Sequence, residues 1–340
     1  MKKNYYYAIL LFLFVIIFFS WKFFKEQIKP LTNKLVPVQF AFDWTPNTNH
    51  TGVYVALAKG WYKEQGLDLK ILPYSPNVSS SVLVTSEKAD VGISFIEDIV
   101  GETAKNNPLV SIGAILQHNT SGLIVLKSSG ITRPKDLNGK IYGGYGSPFE
   151  NPIISEIIKK DGGTGNFKNV VLDIGAMQSL ESKRIDFVWV FSGWEVIQAK
   201  LDGIKFIFFP LIKYGIPDSP TAVFVATPSK IKSNPELLKK FMTATAQGYE
   251  YARLYPQESA QILINQTPRD TFPNPKLVFA SQEFMSNNYA DKNILWGIQN
   301  IKSWSGYPQF ILNSNAVFDA SDKPVKTMDF NILFTNQFLP

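Results

Sequence analysis

The chain has 340 residues, 45% of them apolar, 14% aromatic and 18% charged, with formal net charge +6 and no cysteine. That length suits two domain-sized cores, and low charge with high aromatic content excludes a disordered chain. The missing cysteines exclude disulfides, thiolate metal sites, cysteine nucleophiles and lipid attachment through cysteine, and leave the redox compartment open.

The first element is an apolar arm. Residues 5–19 are all apolar or aromatic, and Trp21, Phe23 and Phe24 extend the run past Ser20. As a helix, residues 5–21 span roughly 25 Å, a short bilayer crossing with tyrosines and Trp21 at its interfaces. A secretory signal would also begin with Lys2 and Lys3, but its cleavage site needs small residues and this stretch offers only Ser20. We therefore expect an uncleaved signal-anchor over residues 1–24 and a polar tether over 25–35; a cleaved signal and a buried helix are the alternatives. The soluble part is placed on the extracytoplasmic side of a cell membrane, although more lysines follow the span than precede it, which by charge alone favours the reverse. Six lysines of residues 1–34 face one acid, Glu26, so nearly all of the +6 belongs to the arm. The remainder has no basic surplus for nucleic acid.

After the arm the pattern alternates. Residues 36–42 read as a strand, with Pro37 near its start. Val53, Leu57 and Trp61 recur at helical spacing, and Gly66 sits where a helix end wants glycine. Strands follow over 67–71, 91–95 and 109–115, with a short helix before the second and a helix from Glu97 after it. The sequence then repeats this order: strand 140–143, helix 152–160, strand 170–174, a helix, a strand ending at 186–190, and helix 193–201. Lys88-Ala89-Asp90-Val91-Gly92 parallels Lys183-Arg184-Ile185-Asp186-Phe187. Such alternation predicts α/β lobes, each a parallel sheet covered by helices. Residues 123–127 and 222–226 read as extended links, so lobe 1 comprises 36–127 with 222–340 and lobe 2 comprises 128–221. Helices are expected over 235–254, 256–265, 279–289 and 294–304.

Little here is metal or nucleophile chemistry. The two histidines, His50 and His118, are far apart, and no metal-ligand spacing occurs. His50 reads more naturally as a hydrogen-bonded loop residue than as a base. The glycines of 142–147 do not form a dinucleotide fingerprint, yet they would let backbone amides approach a phosphate or carboxylate. The informative residues are polar groups among aromatics at strand ends: Asp43, Trp44 and Asn47; Glu97 and Asp98; Gly144, Tyr145, Gly146, Ser147 and Glu150; and Trp189, Trp194 and Glu195. Ligands of open α/β sheets lie at the carboxyl ends of strands. Aromatics there can sandwich a flat heterocycle while a carboxylate accepts its amino hydrogens. The plainer reading is core packing for the tryptophans and helix N-terminal charge compensation for Glu97 and Glu195.

The same segments carry a resemblance. Residues 42–52, 59–62, 66–68, 92–98, 142–150 and 189–195 closely resemble those of thiamine-pyrimidine solute-binding proteins of ABC importers, a likeness running from about Val36 to Ile264. It implies a two-lobed, periplasmic-binding-protein-like fold (type II) that closes over an aminopyrimidine precursor or breakdown product of thiamine. The fold would deliver that ligand to permease and ATPase subunits. It further implies Asp43, Trp44 and Asn47 as first-lobe contacts, Tyr145, Gly146 and Ser147 as loop contacts, and Glu195 on the aminopyrimidine edge. Trp189 and Trp194 would line the cleft or support it from behind. Eukaryotic thiamine-pyrimidine synthases share the fold, but where they consume a pyridoxal-phosphate lysine and a histidine this chain has Ser94 and Asp98. Their cysteine-rich iron motif is absent too. The resemblance thus implies a transport binder without cofactor or catalysis. A binder of sulfonates or other small anions, with Arg133 or Arg184 in the cleft, and a membrane-tethered catalytic or sensory ectodomain are the alternatives.

Overall fold

The computed structural model describes residues 34–172 and 175–340. The expected anchor over 1–24 and most of the tether over 25–35 lie outside the described residues, as does the end of the strand expected over 170–174. Among the described residues no helix is long and apolar enough to cross a membrane. Residues 36–340 form one compact unit.

Among the described residues, strands β1 Val36–Ala41, β2 Leu67–Leu72, β3 Val91–Ser94, β4 Val110–Leu116, β5 Ser121–Leu126, β6 Ile141–Gly144, β7 Lys168–Val171, β8 Phe187–Phe191, β9 Phe206–Pro210 and β10 Thr221–Ala226 build two five-stranded sheets. The first runs β2-β1-β3-β10-β4 and the second β7-β6-β8-β5-β9. Three consecutive neighbours in each sheet are parallel, as the alternating pattern predicts. Each sheet also holds an antiparallel strand, β10 between β3 and β4, and β5 between β8 and β9. These are the segments expected as links, 222–226 and 123–127. They are hydrogen-bonded inner strands, and nearly all of their residues are buried. The chain therefore crosses between sheets at residues 117–120 and 215–220, and β5 belongs to the second sheet, not to the first lobe.

Local chemistry explains the strand details. Pro37 lacks an amide hydrogen, and β3 is short enough to pair only with Phe40 and Ala41, so the proline meets no vacant acceptor on that side. Val38 and Phe40 point into a core shared with Phe224, Phe241, Tyr249 and Trp296, beneath helices Thr51–Lys59 and Pro235–Leu254. The opposite face packs on helices Ile96–Ala104 and Ile301–Asn313.

Helix Pro235–Leu254 coincides with its expectation, and Pro256–Gln266 and Pro275–Ser286 fall within four residues of theirs. The helix expected over 294–304 begins only at Ile301, capped by Asn300. Asn293 and Gly297 both take positive φ and break the earlier turn. Trp296 instead enters the first core, stacked on Tyr249 at 4.1 Å and donating to the Ile115 carbonyl at 3.1 Å. Strand β9 is not among the expected elements.

Candidate functional site

The carboxyl ends of β1 and β3 face those of β6 and β8 across the junction of the sheets; Phe95 and Phe191 approach to 6.3 Å between ring centroids. All four expected segments sit at this junction, but several of their polar groups are already engaged.

In the loop after β1, the Asp43 carboxylate lies 2.9 Å from Nε2 of His50. His50 is wholly buried, stacks on Phe42, and accepts the Asn47 amide through Nδ1 at 3.3 Å, so Nε2 carries the proton toward Asp43. Asn47 accepts from the Asn49 amide and donates to the Thr45 carbonyl, which makes it the organiser of this turn. Trp44 is half-buried against Tyr74. His50 is thus a hydrogen-bonded loop residue, as its plainer reading had it.

Behind β3, Glu97 is 8% exposed. Burial pushes its carboxyl up to about 8, reinforced by the charge of Asp98 and, across the junction, of Glu150. Tyr307, from helix Ile301–Asn313, lies against the same carboxyl. Asp98 is raised to about 6 by burial and by Glu102 and Asp43. It sits 3.4 Å from the Ser94 hydroxyl, which in turn pairs with Ser81 at 2.7 Å. At neutral pH Glu97 holds its proton and can both donate and accept, whereas Asp98 is mostly ionised.

The glycine loop behaves differently from its expectation. Glu150, fully buried, accepts the Tyr142 hydroxyl, the Tyr145 amide at 3.1 Å and the Gly146 amide at 2.8 Å. The loop therefore wraps a carboxylate of its own instead of aiming these amides at an external anion. Gly144 permits this: a Cβ there would stand 2.8 Å from a Glu150 oxygen and 2.7 Å from the Tyr142 ring. Tyr145 remains 41% exposed and turns its ring edgewise to Trp189, 6.5 Å away. Ser147 stays within the loop, its hydroxyl accepting from the Phe149 amide. Trp189 is 8% exposed, and its buried indole N–H has no hydrogen-bond partner among the described residues.

After β8, Glu195 accepts the Phe191 amide at 2.9 Å and compensates the start of helix Glu195–Leu201; burial raises its carboxyl. Trp194 leaves its own lobe and packs against Phe272 of the first. A cavity of about 20 Å³ between the lobes is lined by Asn47, Thr48, Thr120, Phe191, Gly193 and Trp194. A groove of about 520 Å³ near Asn151, Lys159 and Asn313 holds none of the expected residues. Arg133 forks onto Asp161 at 2.8 Å, and exposed Arg184 lies at the amino end of β8, away from the junction. Among the described residues no cluster of three or more His, Cys, Asp or Glu could hold a metal ion.

Sequence reasoning missed Tyr307 and Ser281, whose helices are remote in the chain and carry no motif. It also missed that Glu150 organises its loop, which the spacing from Gly146 to Glu150 could have suggested.

The family described as NMT1/THI5 like matches residues 47–259. The formylaminopyrimidine-binding protein of Halalkalibacterium halodurans is 26% identical over 276 residues, covering 79% of this chain and 83% of that protein. A 4-amino-5-hydroxymethyl-2-methylpyrimidine phosphate synthase of Legionella pneumophila is 26% identical over 256 residues, covering 71% and 77%. Among solved structures, a protein from Bordetella bronchiseptica superposes with TM-score 0.69 at 19% identity, covering 90% of this chain and 96% of that one. The periplasmic aliphatic sulphonate-binding protein SsuA of Escherichia coli gives 0.64 at 14% identity, covering 85% and 90%. At these identities the superpositions speak to fold, a two-sheet α/β architecture of the periplasmic-binding-protein kind.

Proposed function

Because this chain belongs to the NMT1/THI5-like family, we propose that it is the solute-binding component of an ABC importer and captures a thiamine-type aminopyrimidine between its lobes. The observation that carries this reading is the junction's chemistry. It pairs aromatic faces, Trp44, Tyr145 and Trp189, with carboxyls, of which Glu97 is protonated at neutral pH. A neutral carboxyl offers one donor and one acceptor, the complement of an aminopyrimidine's ring nitrogen and amino group. The unpartnered indole N–H of Trp189 adds a donor. Asp43, Asn47, Gly144, Gly146, Ser147 and Trp194 then shape and fix the walls, and Glu195 offers its remaining oxygen to the ligand.

Two features favour binding of a neutral heterocycle over the other readings. An anion would have to displace Glu150 from the Tyr145 and Gly146 amides, and Arg133 and Arg184 stand away from the junction. A synthase would need an amine where Ser94 bonds to Ser81, so pyridoxal phosphate does not fit this third-strand segment. The apolar run of residues 5–19 supports a tether that keeps the binder near its permease on the extracytoplasmic face.

Calorimetry with formylaminopyrimidine and with an aliphatic sulfonate tests the assignment. We expect saturable binding of the pyrimidine alone, weakened about tenfold or more by Trp44→Ala and by Glu195→Gln, with thermal unfolding little changed. Unchanged affinity in both variants would remove these residues from the site, and binding of the sulfonate alone would replace the ligand class.

A further inference from the structure

Ser281 lies on helix Pro275–Ser286, beyond the segment that matches the family, and is completely buried. Its hydroxyl donates to the carbonyl of Gly193, in the loop between β8 and helix Glu195–Leu201. It also meets the Thr48 hydroxyl at 2.5 Å, in the loop after β1. A serine hydroxyl has one proton, and here Gly193 receives it, so Thr48 is the donor of the second bond. A directed relay results, from Thr48 through Ser281 to Gly193. It joins the first-lobe loop that carries Asp43, Trp44 and Asn47 to the second-lobe loop that carries Trp194 and Glu195.

The surroundings make this relay a defined seat. Thr48 is held from behind, its carbonyl accepting the Tyr289 hydroxyl at 2.6 Å. Gly193 lies so close to Met285 that a Cβ would fall 2.7 Å from the sulfur. Next to it, Trp194 rests edgewise on Phe272. The second-lobe loop is therefore docked on first-lobe helices through the Gly193 carbonyl, which accepts the Ser281 hydroxyl.

We propose that Ser281 is a positioning residue: a latch that fixes the two binding loops in register when the lobes close, and slows ligand escape by holding them there. The kinetic part rests on the binding-protein reading above; the geometric part does not. A buried hydroxyl relay is worth little while the lobes are apart and water can replace it. It favours the closed form selectively.

The cysteine-free sequence allows a direct test. Lys63→Cys on the first lobe and Glu181→Cys on the second, both at exposed positions, admit one spin label each on the full chain. Inter-lobe distances are then compared with and without Ser281→Ala, and separately Thr48→Val, in ligand-free and formylaminopyrimidine-treated protein. Stopped-flow tryptophan fluorescence gives the ligand's dissociation rate. We expect each substitution to move population toward longer distances and to speed dissociation roughly fivefold, the loss of one hydrogen bond, with association little changed. Unaltered distances in both variants overturn the latch. Altered distances with no pyrimidine binding by the parent protein keep the latch and reject the ligand assignment.

Discussion

Glu97 shows how burial turns a common carboxylate into a proton-holding group. Its ordinary value of 4.5 rises to about 8 in the folded chain, so the native state binds the proton more tightly than the unfolded state does. The sign follows from linkage: its contribution is complete below about 4.5 and declines as pH climbs toward about 8, by about 1.4 kcal/mol per unit. Asp98 adds a smaller decline of the same sign, from its ordinary 3.8 up to about 6. We therefore expect the melting temperature to fall between about pH 5 and about pH 8, and Glu97→Gln to flatten much of that slope. An equally steep slope in the glutamine variant would place the titration elsewhere. Only the neighbouring charge of Asp98 was legible in the sequence; the larger cause, burial, is set by packing from distant parts of the chain, Tyr307 among them. The polar residues of the expected segments were legible as a set; their division of labour was not. Asn47, Glu150 and His50 bind their own loops, and a sequence does not say which lone pairs a neighbouring amide has taken.

At the level of elements, the repeat seen in the sequence is a structural duplication shifted by one position from the simplest alignment. Asp90 accepts the Gln39 amide at 2.8 Å and Asp186 accepts the Ile141 amide at 2.8 Å, fastening the start of β3 to β1 and the start of β8 to β6. A left-handed residue stands three positions before each, Glu87 and Lys183. Asp90 also receives Lys230 at 2.5 Å. Asp90→Ala and Asp186→Ala should thus each lower stability by about 1–2 kcal/mol, with Asp90 costing more. Chemical denaturation of both variants checks this, and a larger loss at Asp186 would contradict the proposed equivalence. Parallel strands and long helices were readable from periodicity because local pattern and tertiary role agree there. The two inner strands β5 and β10 looked like links, since an antiparallel strand borrowed from a distant part of the chain leaves no local mark. The helix expected over 294–304 failed for a related reason: Trp296 is pulled into the first core, and periodicity cannot foresee that.

Across the whole molecule the two crossings are tied to each other. His118, in the first, bonds Asp218 of the second at 2.5 Å and Asp291 of the C-terminal region at 3.1 Å. Asp218 also accepts the Asn119 amide at 2.9 Å. Burial lowers the imidazole's pKa, but the two carboxylates more than offset it, so the value is raised. A raised histidine stabilises below its unfolded value and loses that contribution as pH rises through the folded one. Inter-lobe motion measured by spin-label distances should accordingly broaden as pH rises through the raised His118 value, and His118→Asn should remove the dependence; a variant with the parent's pH response would acquit His118. The exchange of β5 and β10 has one more consequence, which concerns synthesis. Among the described residues, β4 of the first sheet pairs with the strand β10 alone, whereas the five strands of the second sheet have been made by residue 210. A chain leaving the ribosome can thus complete its inserted lobe while the lobe begun first still waits for an inner strand, so order of translation and order of assembly run in opposite directions.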